Sequence, residues 1–358
     1  MNEPLPPRPN RPHIEINRLD EKKKKSMGNR ILVALILFII AVPCLVIGGW
    51  AWFAFVTLVL GVAVYEIMKA PQKKFKWYIW LATYVLVFLY VYWFLIKFNV
   101  QSYLYHLHAI QNGQSSSWTF QLEGHFQYLA ISTYCLASSF AIYALCAVLH
   151  DEFTWHDVIY FFTMSFVVGM GFQALLFVRF YPFAIGPAWE GIVDTTSNGF
   201  RYWGSLVFVI YVVATTFLND SFAYFVGMLF GKHRVNPRIS PNKTWEGFIG
   251  GIVLGGISGL GFALIAEACG SPILPGLAVL SHPKSWWLLI LLSFTIPVIG
   301  NLGDFTFSMI KRFYGFKDYS HVLGAHGGVL DRVDSLTFTS IYASVFAVMS
   351  AAGWNIFL

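Results

Sequence analysis

Ser308–Asp334, SMIKRFYGFKDYSHVLGAHGGVLDRVD, sets Lys311, Arg312, Lys317, Asp318, Asp331, Arg332 and Asp334 around a His326-Gly327-Gly328 turn. Apolar runs near residues 286–310 and 333–350 flank it. Each approaches the roughly 20 residues a helix needs to cross the hydrocarbon core. The stretch therefore reads as the polar link between two membrane helices, and its charges demand a use.

The rest of the chain repeats that pattern. Of its 358 residues, 57% are hydrophobic and only 12% charged, a combination that excludes an ordinary soluble domain. Spans are expected near 31–48, 50–68, 77–96, 127–148, 157–178, 204–230, 248–268, 286–310 and 333–350. The predicted fold is an all-α, polytopic integral membrane protein of about nine transmembrane helices with a cytoplasmic N-terminus. Residues 1–30 form a basic, Pro-rich tail expected to be disordered, with Lys22–Lys25 and Arg30 held against an anionic leaflet. Residues 31–200 are then a scaffold offering dimer contacts, and 201–358 the catalytic part.

Charge tests the topology. With the N-terminus inside, 20 of the 24 Lys and Arg residues fall on cytoplasmic segments, leaving Lys97, Arg179, Arg201 and Lys284 outside. Only Gly48-Gly49-Trp50 separates the first two spans, and their fusion would invert everything after them. Cys44, Cys135, Cys146 and Cys269 lack metal-ligand spacing and read as packing residues. The outer loop 98–126, with His106, His108 and His125, receives no function. Gly247, Gly251, Gly255 and Gly259 recur every four residues, a small-residue stripe on which another helix can close.

Asp304, Ser308 and Lys311 are spaced i, i+4, i+7, on one face of the eighth span. At 1.5 Å per residue, Asp304 stands about 10 Å before the Lys311-Arg312 boundary. Asp331 and Asp334 can point the same way at the start of the ninth span, and Asp220 lies in the sixth. A carboxylate at mid-membrane costs about 2.5–3.5 kcal/mol, so these acids need cations. Lys311, Arg312, Lys317 and Arg332 would supply them in a buried ion-pair network. Converging carboxylates are equally how oxygen ligands for Mg²⁺ are built.

His326-Gly327-Gly328 offers backbone N–H groups that can approach an anion closely, or simply a turn before a helix. The loop GKHRVNPRISPNKTWEG, with Lys232, Arg234, Arg238 and Lys243, is either a phosphate clamp or ordinary positive-inside sequence. The chain has no G-x-x-x-x-G-K-[ST], G-x-S-x-G or H-E-x-x-H motif. Such a set suits a reaction without a protein nucleophile. A lipid phosphate monoester, already largely a dianion with its second pKa near ~6, would attack a nucleotide phosphate. The barrier is then anion meeting anion, which divalent ions and Lys/Arg clamps lower.

Ser308, Lys311-Arg312, Lys317-Asp318, Ser320, Leu323-Gly324, His326-Gly327-Gly328 and Asp331-Arg332 with Asp334 resemble the signature of the phosphatidate cytidylyltransferases, or CDP-diacylglycerol synthases. Asn219–Tyr224, Gly231-Lys232 and Ser240–Gly247 look like further blocks of that family, so the likeness covers residues 200–335. The resemblance implies condensation of CTP with phosphatidic acid to CDP-diacylglycerol and pyrophosphate, dependent on Mg²⁺ with a second cation often beside it. It makes Asp304, Asp331 and Asp334 the metal ligands. Lys243, Lys311, Arg312 and Arg332 become phosphate clamps, with Ser308 in the signature and His326, Gly327 and Gly328 in the nucleotide pocket. Asp220 becomes a metal-site residue or an orienter of a lysine, and Glu246 a partner for Lys243. It further implies a homodimer; the charge distribution puts the site on the cytoplasmic face, the short tail and compact loops favour a bacterial plasma membrane before the endoplasmic reticulum, and no nucleic-acid partner is expected. Two other readings stay open: a CTP-dependent lipid or polyprenol kinase, and a transporter.

Overall fold

The computed structural model describes residues 35–113, 115, 117–118, 133–180, 198–281, 283–324 and 327–351. The tail 1–30, His125 and His326 lie outside these described residues. Within them the chain forms α1 (Leu35–Ile47), α2 (Gly49–Lys69), α3 (Trp77–Gln111), α4 (Thr133–Leu149), α5 (Trp155–Phe180) and α6 (Asn198–Phe230). After these come β1 (Arg234–Asn236), β2 (Ser240–Thr244), α7 (Trp245–Ala268), α8 (Trp286–Phe313) and α9 (Leu330–Ala351).

Among the described residues, six helices are long and apolar enough to cross a membrane. They are α2, α5, α7, most of α6, α9 and the run from Pro283 to Phe313 that contains α8. Leu35–Ile47, Trp77–Trp93 and Cys135–Leu149 are shorter apolar stretches among the described residues. The protein is a helical, multi-pass membrane protein. The short antiparallel β1–β2 hairpin is an addition that hydropathy gave no hint of.

The α1–α2 junction is a true break. Gly48 and Gly49 have φ of +67° and +47°, a left-handed geometry that only glycine enters without strain. Arg179 of α5 is buried against the break and donates to the Leu45 carbonyl at 2.9 Å, satisfying an end-of-helix acceptor.

Buried α5 organises the bundle, packing on α2, α3, α4, α6 and α9. The glycine stripe of α7 lies on α6. Gly247 faces Ala223 and Gly227, Gly251 and Gly255 face Asn219, and Gly259 faces Thr215. A Cβ at Gly251 would come within 2.8 Å of Ala223 Cβ, so the close crossing depends on glycine.

The basic loops gather at one end. Gln72 donates to the Tyr314 carbonyl at 3.3 Å, and Lys73 pairs at 2.6 Å with Asp157, which also caps the start of α5 through the N–H and Oγ1 of Thr154. His156, Arg238 and Arg312 line one cavity there. Segments that charge alone assigned to a single face thus meet in space.

Candidate active site

The last turns of α8 provide the first wall. Ser308 Oγ donates to Asp304 Oδ1 at 3.2 Å, as their i, i+4 spacing allows. The other Asp304 oxygen accepts Lys243 Nζ from β2. That ammonium also sits 4.4 Å from the centroid of the Phe305 ring, a cation–π geometry. Thr244, next to Lys243, caps α7 by accepting the Gly247 N–H at 3.2 Å, which fixes where β2 ends.

The start of α9 provides the second wall. Asp331 is held on both oxygens: Lys311 Nζ reaches Oδ1 at 2.7 Å, and the N–H groups of Tyr319 and Gly328 reach Oδ2 at 2.9 Å each. Burial, and then the nearby Asp331 charge, push the Tyr319 phenol well above its ordinary pKa, so it stays neutral. The N–H groups of Val329 and Leu330 donate at 2.8 and 2.7 Å to Glu66 of α2. Glu66 Oε1 also accepts Ser320 Oγ at 2.5 Å.

The Gly328 amide donates to Asp331, and the two amides that follow it donate to Glu66. Glycine at 328 is needed for an anion's close approach, and the anion is Glu66: a Cβ there would come within 2.7 Å of Glu66 Oε1. Gly327 takes φ +79° and makes the turn itself.

Asp334, one turn further along α9, is only 8% exposed and accepts the Ser335 N–H on Oδ1 at 2.8 Å. The α8–α9 approach is close because residue 303 is glycine, where a Cβ would stand 2.7 Å from the Asp334 carbonyl oxygen. From α6, Asp220 accepts from Asn219 Nδ2 at 3.1 Å, and Asn219 in turn accepts from Asn301 at 3.2 Å.

Asp220, Lys243, Asp304, Lys311, Asp331, Arg332 and Asp334 all line one cavity of about 800 Å³. Asp220, Asp304 and Asp334 act on one another electrostatically. Four elements distant in sequence therefore deliver the predicted charges to a single place.

Ser308, Gly327 and Gly328 are not part of that lining, and Arg312 and Glu246 go elsewhere. Arg312 donates to the carbonyls of Ile239 and Phe316 at 3.2 and 3.3 Å and lines a separate cavity of about 510 Å³ between α5, the hairpin and the end of α8. It ties the hairpin to α8 and does not line the carboxylate cavity. Glu246 accepts the Lys232 N–H at 3.0 Å and His233 Nδ1 at 2.6 Å, so it holds the entry to the hairpin while Lys243 pairs with Asp304.

The carboxylates on the cavity are oxygen donors of the type a hard divalent ion takes. Among the described residues, no three His, Cys, Asp or Glu side chains stand as a ready ligand set. Lys243 and Lys311 already occupy two of the acids.

The sequence matches the cytidylyltransferase family over residues 28–350. The chain belongs to that family. A Staphylococcus saprophyticus protein named phosphatidate cytidylyltransferase is 27% identical over 312 residues, covering 87% of this chain and 95% of that protein. Proteins of the same name from Staphylococcus haemolyticus and Bacillus subtilis are 33% identical over 203 residues and 39% over 133. Those two alignments cover 57% and 37% of this chain, and 64% and 44% of the relatives.

Reading from the sequence missed Glu66 and Asn301. A signal for Glu66 existed, since it is an acid inside an apolar span and such residues are seldom idle. What it touches lies more than 250 residues away, beyond the reach of any spacing rule.

Proposed function

We propose that this cytidylyltransferase condenses CTP with phosphatidic acid to CDP-diacylglycerol and pyrophosphate. A phosphate oxygen of the lipid attacks the α-phosphorus of CTP, a P–O bond forms there, and the bond to the β-phosphate breaks with release of pyrophosphate. The observation that carries this reading is the 800 Å³ cavity on which lysines and carboxylates of α6, β2, α8 and α9 converge.

The two lysines supply the clamp. Each ammonium is neutralised by an aspartate. An entering triphosphate presents more negative charge than a single carboxylate, and it draws Lys243 and Lys311 across while freeing Asp304 and Asp331. Arg332, on the same cavity, adds a fixed cation for the leaving pyrophosphate.

Asp304 and Asp334, with Asp220 beside them, would hold Mg²⁺, and Asp331 would join once Lys311 has moved. When bound, the ion offsets charge on the phosphate oxygens as a Lewis acid. The lipid route is supported by Tyr224 and Met228, which line the cavity while 67% and 60% exposed on a spanning helix. A headgroup can enter between them with its acyl chains left in the membrane.

The clustering of basic loops supports a cytoplasmic site, and the bacterial relatives support a plasma membrane. A homodimer is the expected assembly, to be tested by light scattering in detergent. The reaction itself is tested by incubating purified protein with CTP, phosphatidate and Mg²⁺. Pyrophosphate and CDP-diacylglycerol should appear together, whereas CDP with a newly phosphorylated lipid would establish the kinase. A transporter would produce neither. The transporter reading also requires acids spread through the membrane depth, and Asp220, Asp304 and Asp334 share one cavity.

A further inference from the structure

We propose that Glu66 is a positioning residue for the transfer reaction: its carboxylate permanently occupies the anion site at the start of α9 and thereby sets Asp331, Arg332 and Asp334 on the cavity. This rests on the function proposed above.

Glu66 is fully buried and takes the Val329 and Leu330 amides at the start of α9, while those of Arg332 and Val333 go to the Val329 carbonyl. A helix start exposes N–H groups with a partial positive field, and in a nucleotide enzyme a phosphate would satisfy it. Here one carboxylate takes three donors on its two oxygens, Ser320 Oγ and Val329 N–H on Oε1 and Leu330 N–H on Oε2. Charge-assisted bonds of this kind are short and directional, so the turn cannot rotate without breaking them.

The turn also runs directly into the site. Leu330 is followed by Asp331 and Arg332, and one helical turn later by Asp334, all three on the cavity. Asp331 takes the Gly328 N–H, the amide immediately before the two that Glu66 holds. Three consecutive amides thus divide between a carboxylate that faces the cavity, which takes the first, and one that does not, which takes the next two. Glu66 itself does not line the cavity, so it acts through the turn and never touches substrate. Gly328 is the matching half of the device, because any larger residue would displace the carboxylate.

Glu66→Gln tests the idea, since it keeps the shape but replaces one acceptor oxygen with a donor that faces an N–H or hydroxyl. The expected result is a folded protein whose kcat falls about 10- to 100-fold, while the KM for CTP stays within about twofold and the Mg²⁺ concentration for half-maximal rate rises severalfold. Backbone amides in the 327–334 segment should exchange with deuterium at least tenfold faster, with the rest of the chain unchanged. Ser320→Ala, which removes one donor without burying a mismatch, should shift the same parameters in the same direction by a smaller factor. It also covers the case in which Glu66→Gln does not fold.

Wild-type kcat and wild-type exchange in a folded Glu66→Gln protein, or in Ser320→Ala if only that variant folds, would overturn the proposal. So would a loss of activity that merely follows the folded fraction. If the wild-type protein makes no pyrophosphate, the functional reading fails. The exchange measurement then still decides whether Glu66 holds the turn.

Discussion

Lys243–Asp304 and Lys311–Asp331 put the same two functional groups on one cavity. The side chains of the first pair are 30% and 25% exposed, and those of the second 11% and 6%. Water reaches the Lys243 pair and screens it, so little binds that lysine to its aspartate except proximity. The Lys311 pair has lost most of its hydration, and Asp331 is further held by two backbone N–H groups. Separating it leaves a buried charge uncompensated. The first pair is therefore the easier one to exchange when a phosphate arrives, while the second fastens α8 to α9 until phosphate and Mg²⁺ together take over its two charges.

The largest effect should come from removing charge at the carboxylates proposed to hold the metal. Asp304→Asn and Asp334→Asn should each lower turnover by roughly 10²–10⁴-fold, the scale of several kcal/mol of lost transition-state stabilisation. Steady-state pyrophosphate release at saturating CTP measures it, and a loss under tenfold would remove that acid from the reaction.

Next comes the same replacement made at both lysines. Lys311→Met should destabilise the fold by about 3–5 kcal/mol, because Asp331 stays buried without its cation. Lys243→Met should change stability by less than about 1 kcal/mol. Thermal unfolding in detergent compares the two variants, and equal losses would erase the distinction drawn from burial.

A smaller effect should appear in the kinetics of the exposed pair. If Lys243 moves from Asp304 to a substrate phosphate, Lys243→Met raises the apparent KM for CTP or phosphatidate about tenfold, worth about 1.4 kcal/mol. Unchanged kinetics would return Lys243 to a purely topological role.

The smallest effect belongs to Arg312. Since it ties the hairpin to α8 and lines the other cavity, Arg312→Ala should leave the KM for CTP within about twofold, the net value of a weak hydrogen bond or less. A tenfold rise would restore it to the phosphate clamp that its place in the motif suggested.

Much of the site was legible one helix at a time. The Asp304–Ser308 bond follows from a spacing of four, and the α7 glycine stripe met α6 as a four-residue repeat implies. Where sequence reasoning failed, the missing information lay between elements. Nothing local distinguishes Lys311 from Arg312, yet adjacent positions on a helix diverge by about 100°, so one enters the carboxylate cavity and the other leaves it. The glycine turn reads locally as a place for an anion, but the carboxylate that stands against Gly328 is that of Glu66, which arrives from another helix.

Composition and hydropathic period alone determined that this chain spans a membrane as helices and keeps its acids and bases near one end. Those properties depend on each segment's own contact with lipid or water. Which acid meets which base, and which carboxylate fills the start of α9, was decided only by the packing of α2, α6, α8 and α9 around α5. A charge in a low-dielectric interior is governed by the partner within a few ångströms of it, and that partner is set by the tertiary fold.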